Sequence, residues 1–334
     1  MITRVKGAAF STQDNIGYIS LGDTPGAKGD GVVDNTSALT TALASGLPVY
    51  IPPGTWLISP IVVPVNSTIF GAGTKSILRL KSAVVGSMLT LGSGTSVHLL
   101  TIDGNKAGQA SALNHGIAVV NAVDVKLGQL SIINTIGDGV NISGGSTVGT
   151  KIIDCNFTGF MKTGITVENG VLAYISGCHT DISDVLAIPG DGIALAPTIG
   201  GALIYGTIIQ GCTSRNLAGR GIAVIGFGSK NVLDTTISGF ATTVAGSHGI
   251  HLLNTQRVLI AGTSIRSCTG DGFRIEGDVV YCRISECVAY SNTGTSFREV
   301  VAGATPNNNG FIYNVSNNNG SDTVVKVGAQ SFIV

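Results

Sequence analysis

One short phrase recurs along this chain: a residue, a glycine, then an apolar, any, apolar alternation. It reads HGIAV from His115, DGVNI from Asp138, TGITV from Thr163 and DGIAL from Asp191. It continues as RGIAV from Arg220, HGIHL from His248, DGFRI from Asp271 and NGFIY from Asn309. The intervals between glycines are 23, 25, 28, 29, 28, 23 and 38 residues. A period of roughly 20–30 residues with loop-sized variation marks a solenoid, in which each unit buries its apolar face against the next.

Alternation with period two means strands with one set of side chains turned inward. A second alternating run accompanies the phrase in Lys151–Phe157, Ala173–Thr180, Ala202–Thr213, Arg257–Ile265 and Val280–Ala289. Beyond Asn66 nothing carries helical periodicity. Two or three short strands per coil, joined by Gly, Asn and Ser turns, describe a parallel β-helix. Its coils are about 4.8 Å apart, so equivalent positions form ladders. Composition agrees: 48 of 334 residues are glycine, and 11% are charged, against a usual charged share of about 25%.

The cysteines follow the repeat. Cys155 and Cys212 each lie nine residues before a repeat glycine, as do Leu130 and Thr263. Cys178 and Cys287 occupy the matching place in coils with longer loops. Such a column reads as buried core thiols, because free cysteine behaves as a small hydrophobe. No C-x-x-C pair exists and the spacing fits no zinc template. We therefore expect no metal and no cofactor.

The formal net charge is zero, which argues against nucleic acid as a partner. No run of about 18 apolar residues is present, so no membrane span is expected. Met1–Ser20 has no apolar core of a signal peptide. That reading makes the protein either cytoplasmic or one that leaves by a route other than general secretion, such as release in a virion.

The N-terminal stretch is different. Asp34 or Asn35 can cap a helix whose apolar face is Ala38, Leu39, Ala42 and Leu43, with Gly46 as its stop. Strand, Pro-Pro-Gly turn and strand follow. This helix suits a cap over the open end of the solenoid. The stretch "GAKGDGVVDNTSAL…LPVYIPPGTWLI", Gly26 to Ile58, together with "LTIDGN", Leu100 to Asn105, resembles the pectate-lyase-like parallel β-helix superfamily, and within it phage tailspikes and polysaccharide depolymerases. The resemblance implies an all-β, right-handed single-stranded parallel β-helix with a short N-terminal capping helix. It also implies a homotrimer, and an N-terminus that attaches to other tail or baseplate proteins of a phage. The organisation expected is an attachment segment (1–20), a helix-capped start (21–65), β-helix coils (66–294) and an Asn-rich C-terminal segment with a final strand (295–334).

Charge is rare here, so its clustering carries information. Asp191, Arg220, His248, His251, Asp271, Arg274 and Glu276 fall in four consecutive coils on one face. Asp138 and Glu168 precede them on the same face. The expected roles are catalytic for Asp191, Asp271 and Asp138. Glu168, Arg220, Phe227, His248, His251, Arg274 and Glu276 are expected to bind substrate, with Phe227, Tyr205 and Phe240 as aromatic platforms. His115 and Trp56 read as structural. The competing reading makes each Asp before a glycine a turn residue.

Glycoside hydrolysis needs two carboxyls, about 5 Å apart for retention or about 6.5–9.5 Å for inversion. Coil arithmetic puts Asp191 and Asp271 on the order of 14 Å apart, and Asp138 and Asp191 about 9.6 Å apart. No intrachain pair is expected to serve, which leaves a pair across subunits or one using Asp181, Asp184 or Asp278. The polygalacturonase-type motifs depart at key positions: Gly190-Asp191-Gly192 keeps one of two acids, Arg220 stands for a histidine and Glu276 for a lysine. The function expected is a tailspike-type protein that binds, and in one form hydrolyses, a bacterial surface polysaccharide, capsule or lipopolysaccharide. The alternative is a non-catalytic receptor-binding or structural spike. A secreted plant-polysaccharide enzyme comes third.

Overall fold

A computed structural model describes residues 17–181, 190–197, 202–226, 231–300, 308–325 and 332–333. Phe227, Asp184 and most of the 1–20 segment lie outside these. The described chain winds as a parallel β-solenoid. Its strands stack into three long parallel sheets of 13, 12 and 11 strands, with a small three-stranded sheet beside them. Each full coil gives one strand to each long sheet. The long runs of the sequence are therefore corners: Lys151–Ile153 lies in the first sheet and Asn156–Thr158 in the second. Asp154 turns between them at φ 52°. Asn and Gly recur at such corners because both tolerate the left-handed region.

The repeat phrase forms the third sheet. Val140–Ser143 pairs with Ile117–Val120 on one side and with Ile165–Val167 on the other, in unbroken register. Ile117, Val140, Ile165, Ile193, Ile222 and Ile250 form one inward column, each almost fully buried.

The repeat glycines are explained by close approach. A Cβ on Gly116, Gly139, Gly164, Gly192, Gly221 or Gly249 would stand 2.6–2.7 Å from the carbonyl oxygen of the glycine one coil on. None of these six has positive φ. They are glycine because the coils touch there, not because the backbone turns.

Two expectations need correction. Gly310 does not continue this column. Gly310–Ile312 pairs with Arg283–Ser285 in the first sheet, and Phe297 pairs with Phe273, so Ser296 follows Gly272. Alternation identifies a strand but not its sheet. Phe240 is no platform: it is 1% exposed and precedes strand Ala241–Ala245 in the inward column that also holds Cys155, Cys178 and Cys212.

The six cysteines are free and buried. Main-chain bonds from His179 to Cys155 and from Thr213 to Cys178 stack three of them in consecutive coils. Among the described residues one α-helix occurs, Thr36–Ala44, with Ala38, Leu39, Ala42 and Leu43 buried. It packs against strand Ile61–Val63 and the turn Leu21–Asp23. Asn35 is the N-cap but makes no capping side-chain bond there. Asp34 takes that part instead, accepting the Thr36 N–H at 3.0 Å. Trp56 is buried, and its indole N–H donates to the Pro52 carbonyl at 2.8 Å.

Candidate functional site

The residues that precede the repeat glycines line one edge of the third sheet. Four of them, His115, Asp191, His248 and Asp271, reach with their side chains to the main chain of the next coil. The Arg220 main-chain N–H donates to Asp191 Oδ1 at 2.7 Å, and the Thr295 N–H to Asp271 Oδ1 at 2.8 Å. The Asp138 N–H donates to His115 Nδ1 at 3.0 Å, and the Asp271 N–H to His248 Nδ1 at 2.9 Å. Each is a side-chain staple between coils.

Each staple needs room. A Cβ on Gly219 or Gly294 would lie 2.5 Å from the oxygen of Asp191 or Asp271, and one on Gly137 or Gly270 within 2.9 Å of Nδ1 of His115 or His248. Hence a second glycine precedes Asp138, Arg220, Asp271 and Thr295. Lys162 breaks that pattern one coil after Asp138. His115 thus has a structural part, holding the main chain of the next coil.

A second layer of bonds links the staples into a ladder. Arg220 grips Asp191 through Nε–Oδ1 at 3.0 Å and a terminal nitrogen to Oδ2 at 2.8 Å. Its other terminal nitrogen lies 3.2 Å from His251 Nδ1. Arg274 donates to Glu276 Oε2 at 2.8 Å and to Asp271 Oδ2 at 3.1 Å. The His248 and His251 rings meet edge to face, their centroids 5.3 Å apart. The structure therefore brings together all seven residues of the four-coil cluster.

Histidine protonation follows from the bonds. A ring nitrogen that accepts a main-chain N–H must keep its lone pair, and burial holds the His248 imidazole below its ordinary value, so His248 is neutral with the proton on Nε2. Burial, aided by the Arg220 charge, pushes the His251 imidazole down to about 4. Its Nε2 is buried and makes no hydrogen bond, although it lies 3.2 Å from Glu276 Oε2. The Arg274 bond holds the Glu276 carboxyl below the usual carboxylate range.

Nearer the N-terminus, Asn141 donates to Asp138 Oδ2 at 3.0 Å and to Glu168 Oε1 at 3.1 Å. One amide nitrogen thus holds two carboxylates, whose nearest oxygens are at most about 6 Å apart. By the same reasoning the single Arg274 guanidinium keeps Asp271 and Glu276 within about 8 Å. Coil arithmetic missed both pairs. It measures backbones, whereas side chains up to five positions apart lean together around a shared donor. The available signal was the residue between them: Asn141 beside Asp138, and Arg274 between Asp271 and Glu276.

The middle outward column of the sheet runs Asn141, Thr166, Ala194, Ala223 and His251. All five are buried by their neighbours, and the Thr166 hydroxyl has no hydrogen-bond partner. They form a floor of mostly small side chains beside the charged ladder. Other expected candidates lie elsewhere. Tyr205 is 42% exposed but sits in the small sheet. Asp181 is on strand His179–Asp181 of the second sheet, tied to Arg215 and Asn216. The Asp278 main chain bonds to Asn254 at a corner. Among the described residues no His, Cys, Asp and Glu group is arranged to hold a metal ion, and no helix is long and apolar enough to cross a membrane.

Comparison with known proteins gives this geometry a context. Residues 23–289 match the family described as rhamnogalacturonase A/epimerase, pectate lyase-like. Pre-neck appendage proteins of Bacillus phages PZA and phi29 are 29% identical over 190 residues, covering 47% of this chain. The match spans 22% of those relatives' own length. The A-module of a mannuronan C-5 epimerase from Azotobacter vinelandii superposes with a TM-score of 0.73 at 14% identity, over 95% of this chain and 98% of that one. The tailspike protein of Escherichia coli bacteriophage HK620, solved with a pentasaccharide, gives a TM-score of 0.67 at 12% identity, over 97% and 68%. At such identities the superpositions speak for the fold alone.

Proposed function

The chain belongs to the rhamnogalacturonase A/epimerase, pectate lyase-like family, and from that premise we propose that it is a tailspike-type phage protein binding a bacterial surface polysaccharide, capsule or lipopolysaccharide. The observation that carries this reading is the ladder from Asp138 to Glu276. It concentrates bonded acids, arginines and histidines on one face of a chain that is only 11% charged. The phage appendage relatives and the saccharide complex of the HK620 tailspike support it.

In this reading the solenoid is right-handed, as crossovers between parallel strands almost always are. Three copies associate in a homotrimer. Residues 1–20 attach the protein to tail or baseplate partners, and residues 21–65, 66–294 and 295–334 form its capped start, coils and C-terminal segment. The protein resides in the virion.

Hydrolysis is a second reading, favoured by the two carboxylate pairs. Asp138 with Glu168 fits the shorter spacing and Asp271 with Glu276 the longer. Asp191, clamped by Arg220, then positions the ladder rather than reacting. The test is to incubate the protein with purified capsules and lipopolysaccharides and follow chain length and new reducing or unsaturated ends. Cleavage lost in Glu168→Gln or Glu276→Gln, with binding retained, assigns the pair. Binding without cleavage across the panel leaves the receptor-binding spike. Absence of any binding overturns the proposal.

A further inference from the structure

Away from the charged ladder, the outward side of the first sheet carries a stack of rings. Tyr50, Phe70 and His98 stand in register in consecutive coils, and Tyr18 packs edge-on against the first two. The Tyr50 and Phe70 centroids are 5.3 Å apart, and the Phe70 and His98 rings lie stacked at 5.8 Å and 14°. Only 5% of the chain is aromatic, so the grouping stands out from the rest of the surface. The next position of this column is Gly128, and the one after it is Ile153.

Gly128 has no local reason to be glycine. Its φ is not positive. An added Cβ would meet only the His98 Cβ and the Ile153 carbonyl oxygen, each at an ordinary 3.9 Å, unlike the repeat glycines that touch the next coil. A glycine inside a strand weakens it, and often marks a place where a ligand or another backbone comes close. Here it leaves one rung of the stack open. The His98 and Ile153 backbones are two coil spacings apart, about 9.6 Å, which is room for one sugar ring. An imidazole face bounds the rung on one side, and Ile153, 37% exposed, bounds it on the other.

Two positions earlier along the same strands, on the same face, Lys126 pairs in register with Lys151. Both are exposed, and among the described residues neither has an ion pair or a side-chain hydrogen bond. Like charges directly opposite in a sheet repel. A weakening glycine and an unrelieved repulsion thus stand side by side, and neither helps the solenoid to fold. Local conflicts of this kind are expected where a surface is used. An anion between the two ammonium groups relieves the repulsion, and a sugar ring stacks its apolar face on an aromatic one. We infer that His98, Gly128, Ile153, Lys126 and Lys151 form a subsite for an acidic sugar residue, whose ring fills the open rung and whose carboxylate meets the two lysines. The inference extends the polysaccharide-binding reading above to a second face of the solenoid and rests on it.

The experiment titrates the full chain, by calorimetry at low and high salt, with oligomers of galacturonate, glucuronate and sialate, with neutral oligosaccharides of the same length, and with inorganic phosphate. Acidic oligomers should bind at least about tenfold more tightly than neutral ones, with an affinity that falls as salt rises. Changing Lys126→Gln and Lys151→Gln together should weaken acidic binding about tenfold or more and remove its salt dependence. Gly128→Phe should fill the rung, abolish binding and leave thermal unfolding no lower. Should Gly128→Phe fail to fold, the exposed lysine pair carries the test. Neutral oligomers that bind equally well, or phosphate that displaces the acidic ones at equal concentration, would overturn the acidic-sugar assignment. Acidic binding that survives both sets of changes would overturn the subsite. Whole surface polysaccharides that bind while the acidic oligomers do not would overturn this inference and leave polysaccharide binding standing. No binding to any glycan would overturn the underlying reading, and this inference with it.

Discussion

At the scale of single residues, the ladder is held by groups that do two jobs. Asp191 receives a main-chain N–H on one oxygen and a guanidinium on both. Removing it strands Arg220, whose side chain is one quarter exposed. Asp191→Ala should therefore cost about 2–3 kcal/mol, below the figure for fully buried pairs, as read by urea unfolding. Gly219→Ala puts a methyl 2.5 Å from Asp191 Oδ1 and should cost about 1–3 kcal/mol. The two changes should be non-additive by at least about 0.5 kcal/mol, because they act on one contact. Additive losses would disprove the staple.

His251 sets a pH dependence. Its ordinary value of 6.5 falls to about 4 in the folded chain, chiefly through burial. The unfolded state then binds more protons between those values, so stability rises with pH across that window and is lost as pH falls through it. The contribution is at most about 3 kcal/mol. His248 moves in the same direction, again through burial. Chemical denaturation from pH 7 to pH 4 should show the decline, and His251→Gln should flatten part of it. An unchanged slope in that variant would remove His251 as its source.

At the scale of elements, the N-terminal helix matters through one face. Leu39 is fully buried and belongs to the same apolar core as the first coils. Leu39→Ala should cost about 2–5 kcal/mol, the usual range for emptying such a site, and hydrogen exchange should rise first in strand Ile61–Val63, which the helix contacts. The extent and buried face of this helix are legible in the sequence. The i, i+3, i+4 spacing named its buried residues, and Gly46 marked its end with φ +74°. Its cap was less legible, because Asp34 and Asn35 both offer a short polar side chain and only packing chose between them.

At the scale of the whole molecule, the stacking of coils buries every cysteine. Burial pushes the Cys268 and Cys282 thiols up to about 12 and Cys287 to about 11. A thiolate is the reactive form, so the folded protein should resist a disulfide reagent at neutral pH. All six thiols should react once it is denatured. Rapid labelling of the native chain would contradict the stacked arrangement.

The period, the alternation and the glycine phrase are local properties, so the chain on its own determined a solenoid, its inward columns, its cap and the face on which charge gathers. Three-dimensional packing decided the rest. Which sheet Gly310 joins depends on corner geometry that a period-two pattern does not encode. Whether Asp138 meets Glu168 around Asn141, or Asp271 meets Glu276 around Arg274, depends on where side chains lean once neighbouring coils confine them. Backbone spacing is set by hydrogen bonds common to all strands, whereas carboxylate spacing is set by the donor that sits between.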